Sequence, residues 1–370
     1  MMKKINIILS FLVILTTAIS CSIPDGISQD LTLNKTNSPT NVASLFDITN
    51  DNSGKVTITP SASGAGTYSV YFGDDTSNPA LVQFGANVTH VYQEGDYTVK
   101  VVANGLNGVN TEETFPLSVI FRAPENLTVT FTKTAHSLKV KANALYATSY
   151  LVYFGDVGPD EVGTPLAAAA EVSHNYTAAG TYNVKVVALS GGVAQTEKTT
   201  EVVITDAFEL PITFDNPNVV YSFVSSGNMT FQKVTNPNIS GINTSSTVGR
   251  FFKVVGAPAN SASTSLLNNP IDFSAGNKIR VLVYTTSTSN IGKKLNVELQ
   301  SAVGGNPANG VAILKVPLTT SGAWEELVFD FSTIPGIPAN AKFNQLVFRF
   351  NDSTTGRNEI FYIDDIRLTN

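Results

Sequence analysis

The segments YSVYFGDD (residues 68–75) and THVYQEGDYTVKVVA (89–103) indicate how the first half of the chain folds, because both recur 82 to 85 residues later. The later copies read YLVYFGDV (150–157) and SHNYTAAGTYNVKVVA (173–188). Within them valines alternate with polar residues, which is the period of a strand with one buried face. Clusters of Gly, Asn and Pro separate the strand patterns, as expected for turns. The duplication predicts two all-β domains of about 80 residues each.

The two copies also share a histidine, His90 in the first and His174 in the second. Histidine is a common catalytic residue, so a catalytic role is one possible interpretation. An active site is rarely duplicated together with its scaffold. We therefore interpret both histidines as structural residues, like the glycines that precede an aspartate in each Y-F-G-D turn.

The paired motifs "Y-F-G-D" and "H-x-Y…G-x-Y-x-V-x-V" resemble the PKD family of immunoglobulin-like sandwiches, although the tryptophan of that family's first motif is missing. The resemblance covers about residues 41 to 206 and implies two PKD-like domains, at 41–121 and 122–206. In secreted bacterial proteins such domains resemble spacers that hold another domain away from the cell surface.

The N-terminus has the plan of a secretory signal peptide. Lys3 and Lys4 precede an apolar run over residues 5–14, and small residues lead to Cys21. This placement resembles a bacterial lipobox, and Cys21 is the chain's only cysteine. We expect a signal peptide over 1–21 with lipidation at Cys21, followed by a flexible tether over 22–40. An ordinary signal peptide with a chance cysteine is the alternative.

The composition favours strands over helices and argues against binding of nucleic acid. Charged residues make up 14% of the chain, compared with about a quarter in typical soluble proteins. The formal net charge is −6, and no basic stripe of the kind that nucleic-acid binding requires is present.

The last part of the chain, residues 207–370, predicts one more all-β domain. Strand-like segments follow one another at short intervals, and none shows a helical period. Eight or more strands in about 160 residues suit a two-sheet jelly roll. The segments are KIRVLVYTT (278–286), KLNVELQSA (294–302), AILKVPL (312–318), WEELVFDFS (324–332) and QLVFRFN (345–351).

Three segments of this domain resemble a carbohydrate-binding jelly-roll type found in glycan-degrading secreted proteins of the Bacteroidota. They are PNISGINTSSTVGRFFKV (237–254), WEELVFDFS and FYIDDIRL (361–368). A tryptophan is usual soon after the F-x-K-V segment in this type, whereas residues 254–264 here contain no aromatic residue. The resemblance implies binding of a β-glucan, and a β-1,3-glucan such as laminarin is the favoured ligand.

Strand alternation sorts the residues of this domain into core and surface. Leu295, Val297 and Leu299 are predicted to face the core, as are Leu327, Phe329 and Phe331, and Leu346, Phe348 and Phe350. We expect one sheet face to carry a carbohydrate site in which aromatic rings stack on sugars and polar groups bind hydroxyls. An ordinary solvated face is the alternative. The predicted site residues are Tyr284, Glu298, Gln300, Trp324 and Arg349.

Asp215 lies near the start of this domain, and Asp364 and Asp365 lie near its end. First and last strands commonly neighbour each other in sandwiches, and carboxylates form oxygen sites suited to Ca²⁺. The resemblance implies a structural calcium here. Plain solvated acids and the paired carboxylates of a glycosidase are the alternatives.

These features predict a non-catalytic, surface-exposed lipoprotein of the outer membrane. Its C-terminal domain would capture polysaccharide for partner glycoside hydrolases and an outer-membrane transporter. All three histidines precede residue 175, so the last domain contains no Ser-His or Cys-His arrangement. An adhesin or scaffold that binds proteins is the main alternative, and a carboxylate-dependent glycoside hydrolase is the third.

Overall fold

The computed structural model describes residues 37–106, 108–302 and 311–370. The chain divides after Ile120 into two compact units. Strands dominate both units, which confirms the all-β prediction. The predicted signal peptide, Cys21 and most of the predicted tether lie outside the described residues. Among the residues that are described, no helix has the length and apolarity needed to cross a membrane.

The first unit is a seven-stranded sandwich of two sheets, with strand orders β1-β2-β5 and β4-β3-β6-β7. Its core consists of the inward-facing residues of the alternating segments, such as Val56, Val70 and Val99, which are fully buried. The strands are β1 (Thr40–Ile48), β2 (Lys55–Ser63), β3 (Ala65–Tyr71), β4 (Ala80–Gln83), β5 (Val88–Val91), β6 (Gly95–Gly105) and β7 (Asn110–Val119).

The second sequence copy repeats this arrangement strand for strand, at the start of the second unit. Its sheets have the orders β12-β9-β8 and β11-β10-β13-β14, which match those of the first copy. Tyr150 pairs with Ala188 as Tyr68 pairs with Ala103. The strands are β8 (Glu125–Thr134), β9 (Ser137–Leu145), β10 (Ser149–Tyr153), β11 (Thr164–Ala167), β12 (Val172–Asn175), β13 (Gly180–Leu189) and β14 (Gln195–Ile204).

The repeated histidine makes the same contacts in both copies. His90 stacks on Phe72 with ring centroids 3.9 Å apart, and its Nε2 lies 2.6 Å from Asp74. In the second copy His174 stacks at 4.3 Å on the equivalent phenylalanine and lies 2.7 Å from Asp156. Each histidine thus ties the Y-F-G-D turn to a neighbouring strand, which agrees with the structural interpretation.

The C-terminal domain packs two five-stranded sheets face to face. We call the sheet of order β15-β18-β23-β20-β21 the front sheet and the sheet of order β16-β17-β24-β19-β22 the back sheet. The strands are β15 (Val224–Ser226), β16 (Met229–Thr235), β17 (Thr247–Lys253), β18 (Ala262–Asp272), β19 (Lys278–Tyr284), β20 (Lys294–Ala302), β21 (Val311–Pro317), β22 (Glu325–Asp330), β23 (Lys342–Phe350) and β24 (Glu359–Thr369). Three short 3₁₀ turns lie at Phe273–Ala275, Thr288–Asn290 and Phe331–Thr333.

One continuous hydrophobic core lies between the front and back sheets. Alternation assigned nine residues to this core, on β20, on β23, and on β22 with the residue that follows it. All nine are buried, so the inward faces were predicted correctly. The start and end of the domain meet where Ile212 bridges Ile366. Because the inward faces are filled with apolar side chains, the polar residues of opposite parity on these strands point away from the core.

Candidate functional site

The five predicted carbohydrate-binding residues do not share one sheet face, so that part of the prediction is wrong. Glu298, Gln300 and Arg349 lie on the front sheet, whereas Tyr284 lies on the back sheet and Trp324 directly precedes β22 of that sheet. The physical reason is that alternation separates inward from outward within a strand. It does not say which of the two sheets a strand joins.

The three front-sheet residues form one hydrogen-bonded network. Arg349 Nε donates to Glu298 Oε1 at 2.7 Å, and Gln300 Nε2 donates to the other carboxylate oxygen at 3.0 Å. Arg349 also donates to the backbone oxygen of Asn260. This places a carboxylate, an amide and a guanidinium group together on the outer face of neighbouring strands, where each keeps further donor or acceptor capacity.

We call the outer face of the front sheet along its central strands, β20 and β23, the trough. Asn296, Glu298 and Val347 point away from the core, yet they are only 0%, 4% and 1% exposed. On the flanking strands Leu266 and Ile313 are 66% and 43% exposed. We call the buried outward residues, with Gln300 and Arg349, the trough floor. The described strands of this sheet place no aromatic side chain outward.

Asn296 is the least satisfied residue of the trough floor. It pairs across the sheet with Lys315 on one side and Arg349 on the other. Burial acts to raise the pKa of Asp352, but its contacts with Lys315 and, less strongly, with the Asn296 amide lower that pKa. Neither amide atom makes a hydrogen bond of normal geometry within the described residues. A buried polar group of this kind is costly unless something else satisfies it.

The two back-sheet residues belong to a small apolar cluster that is largely closed to solvent. Tyr284 and Trp324 are 8% and 7% exposed, and their rings lie 5.4 Å apart. Trp324 Nε1 donates at 2.8 Å to the backbone oxygen of Asn238, which belongs to the segment between β16 and β17. The indole thus supports that segment. A contact between sugar and either ring stays a prediction.

The three acids of the predicted calcium site do not converge. Asp365 pairs with Arg367, so the prediction that it joins Asp215 and Asp364 is wrong. The backbone of Asp365 has a positive φ of 44°, and the register between β24 and β19 shifts beside it. Two consecutive strand residues normally face opposite sides of a sheet. This irregularity changes the direction of the Asp365 side chain relative to that of Asp364.

Asp364 is the unusual acid of this group. Its side chain is fully buried, Oδ2 accepts from Asn243 Nδ2 at 2.9 Å, and Oδ1 has no hydrogen-bond partner within the described residues. Burial raises the pKa of Asp364 to about 7, and the charge of Asp215 contributes in the same direction. Asp215 itself accepts hydrogen bonds from Ser246 and Thr247.

The fit to a metal ion is therefore partial. The orphaned oxygen of Asp364 and the nearby Asp215 provide carboxylate ligands of the type that calcium prefers. However, in the part of the chain that the structure describes, no three His, Cys, Asp or Glu side chains come together as a metal site.

A polar pocket beside the trough has no counterpart among the residues predicted from the sequence. Its charged lining includes Lys315 of β21 and Asp352, which follows β23, and these two groups lie 2.6 Å apart. Lys315 lies between the inward-facing Leu314 and Val316, so alternation alone would have placed it outward. That it faces Asn296 of β20 depends on strand order, which alternation does not encode.

Comparison with known proteins finds similarity at the level of structure. No protein family matches the chain, and no curated protein matches it. Among solved structures, a carbohydrate-binding module of the β-sandwich superfamily is 16% identical, with a TM-score of 0.27 over 67% of this chain and 99% of that one.

Two other solved structures are similar at the same level. The family 11 carbohydrate-binding module of Clostridium thermocellum, in complex with a β-1,3-1,4-mixed-linked tetrasaccharide, is 12% identical with a TM-score of 0.30, over 43% of this chain and 94% of that one. The SGBP-B protein from a complex xyloglucan utilization locus of Bacteroides uniformis is 13% identical with a TM-score of 0.28, over 90% of this chain and 99% of that one. At this level of similarity no ligand is transferred to this chain.

Proposed function

We propose that the C-terminal domain binds polysaccharide in the trough of the front sheet. The observation that carries the proposal is the network of Glu298, Gln300 and Arg349 on the trough floor. Sugar hydroxyls both donate and accept hydrogen bonds, and planar carboxylate, amide and guanidinium groups bind them in the plane of the group. Exposed aliphatic side chains at the rims, Leu266 and Ile313, suit the apolar C–H faces of a sugar ring.

The cellular role that we propose rests on the sequence features described above. A lipid at Cys21 would anchor the protein in the outer membrane, and the repeated domains would act as spacers. The C-terminal domain would then hold polysaccharide for partner hydrolases and a transporter, without chemistry of its own. A β-1,3-glucan such as laminarin is the first ligand to test. Because the described strands of the front sheet display no aromatic ring, hydrogen bonds must supply much of the affinity.

A carboxylate-dependent hydrolase has less support from the geometry. Such an enzyme needs two carboxyl groups that flank one bond of the substrate. Asp364 is buried against Asn243, and Asp365 is neutralised by Arg367. On the trough floor Glu298 is the single carboxylate among the described outward residues of β20 and β23.

Affinity electrophoresis tests the proposed function. The purified protein is run in gels that contain laminarin, mixed-linkage glucan, xylan, mannan, pullulan or alginate, with serum albumin as the non-binding reference. We expect at least one polysaccharide to retard the protein without itself becoming shorter. If no polysaccharide retards the protein, glycan capture is wrong and an adhesin or scaffold is the better interpretation. Shortened polysaccharide would instead indicate an enzyme.

We also propose that a structural calcium ion binds at Asp364 and Asp215, near the junction of the domain's first and last segments. The support is the buried carboxylate oxygen of Asp364 that has no partner within the described residues. The ion would neutralise this carboxylate and hold Asp215 beside it, a role in stability that leaves the trough unchanged.

A further inference from the structure

The pocket beside the trough is rich in lysine, although the chain as a whole is acidic. It has a volume of about 550 Å³, and the chain carries a formal net charge of −6. Three lysines and one aspartate supply its charges. The lining residues are Ser289, Ile291, Gly292, Lys293, Lys294, Lys315, Asn351, Asp352 and Ser353.

Two of the three lysines are paired and one is not. Lys315 lies 2.6 Å from Asp352, and Lys293 lies 3.3 Å from Glu359. Within the described residues no carboxylate lies at ion-pair distance from Lys294. The pocket therefore has one ammonium group whose charge is not neutralised by the described part of the protein.

Residues 351–353 form one wall of the pocket, and buried hydrogen bonds hold this segment in place. The fully buried Lys253 donates to the backbone oxygens of Phe350, Asn351 and Thr354 at 2.9 to 3.0 Å. Its pKa is lowered by burial, and the charge of Glu359 opposes that change. These contacts fix the segment that carries Asp352, so the pocket has a defined shape before a ligand enters.

The pocket continues the trough. Lys294 and Asn296 are successive outward residues of β20, and Asn296 faces Lys315 across the sheet. The buried amide of Asn296, which lacks hydrogen-bond partners within the described residues, therefore lies at the end of the trough floor nearest the lysines. A chain of sugars lying in the trough would place one sugar in this pocket.

We propose that the pocket binds a negatively charged sugar residue, so that the captured polysaccharide carries carboxylate or sulfate groups. This inference rests on the proposed function, and it replaces a neutral β-glucan with an acidic polysaccharide as the preferred ligand. The ammonium group of Lys294 would pair with the anion. Ser289 and Ser353, whose hydroxyls hydrogen-bond to Ser287 and Asn351, line the same pocket. Uronic acids and sulfate esters share this chemistry.

The test compares the purified protein with two variants that each lose one lysine charge. Lys294→Gln removes the unpaired charge of the pocket, and Lys141→Gln removes an exposed lysine of β9 as the matched control. The probes are polygalacturonate for carboxylate, dextran sulfate for sulfate, and laminarin and dextran as neutral polysaccharides. We expect an acidic probe to bind more tightly than the neutral ones. We also expect Lys294→Gln to weaken that binding about tenfold, while Lys141→Gln does not.

A further variant is expected to raise the affinity for the acidic probe rather than lower it. Asp352→Asn releases Lys315 from its ion pair and should strengthen binding of the acidic probe, most clearly at low salt. Whichever of the two acidic probes responds to Lys294→Gln identifies the anion as a carboxylate or a sulfate.

The outcomes separate this inference from the proposed function. Binding of neutral glucans with no preference for an acidic probe overturns the anion pocket and leaves glycan capture standing. Equal weakening by Lys294→Gln and Lys141→Gln also overturns it, because the attraction would then be a general effect of charge. If none of the four probes binds and the polysaccharide gels also show no retardation, both proposals fail.

Discussion

At the scale of single residues, Asp364 predicts a pH dependence of stability. Its pKa of about 7 in the folded protein exceeds the value of 3.8 for a free aspartate. Between these values the folded state keeps a proton that the unfolded state has lost. Stability should therefore be highest at acid pH and fall as the pH rises through this window, by at most about 4 kcal/mol.

Chemical unfolding in a chelator at about pH 5 and about pH 8 measures this effect. Asp364→Asn cannot ionise, so it should lose less stability between the two pH values than the unmodified protein does. Calcium should raise the melting temperature of the unmodified protein at about pH 8 and have little effect on the variant. An identical pH response in both proteins would contradict the assignment, and no calcium effect would contradict the proposed ion.

We expect a substitution of Trp324 to change the stability of the domain without changing its affinity for polysaccharide. The indole is enclosed and donates to Asn238, so Trp324→Phe should lower the free energy of unfolding by about 1 kcal/mol through the lost hydrogen bond. We expect the affinity for the retarding polysaccharide to stay unchanged, measured in the same gels. Loss of affinity with unchanged stability would mean that the ring contacts sugar, as the sequence suggested.

At the scale of strands, the sequence predicted inward faces well and neighbours poorly. Alternation placed Val297 and Phe348 in the core, and it placed Glu298 outward. It could not tell that Tyr284 belongs to the other sheet, because pairing between strands distant in the chain is set by the whole topology. Lys253 has the same parity as the fully buried Phe251 two positions before it, and this parity is a sequence signal for a buried lysine.

We therefore expect substitution of Lys253, at the end of β17, to be unusually destabilising. Lys253→Met would leave the backbone oxygens of Phe350, Asn351 and Thr354 without their donor. Buried backbone oxygens without a hydrogen-bond donor destabilise the folded state, so we expect a loss of about 3 kcal/mol or more in the free energy of unfolding. Urea unfolding measures the change, with Lys141→Met of β9 as the control on an exposed strand position. If both variants lost a similarly small free energy of unfolding, the buried hydrogen bonds of Lys253 would not stabilise the domain as described.

At the scale of the whole molecule, the division after Ile120 predicts that the units unfold separately. Asp74 and Asp156 hold equivalent histidines in different units. Calorimetry of Asp74→Asn should show one transition shifted to lower temperature, and Asp156→Asn should shift another. The expected loss is about 1 kcal/mol for each. If both variants shifted one common transition, the units would not be independent.

A pair of matched variants tests whether polysaccharide binds the front sheet. Glu298 on the front sheet and Glu326 on the back sheet both point outward and both pair with arginine. The measurement is the affinity of Glu298→Gln and Glu326→Gln for the polysaccharide that retards the unmodified protein. We expect about a tenfold loss for Glu298→Gln and no loss for Glu326→Gln. The reverse result, or equal affinity in all three proteins, would contradict the account.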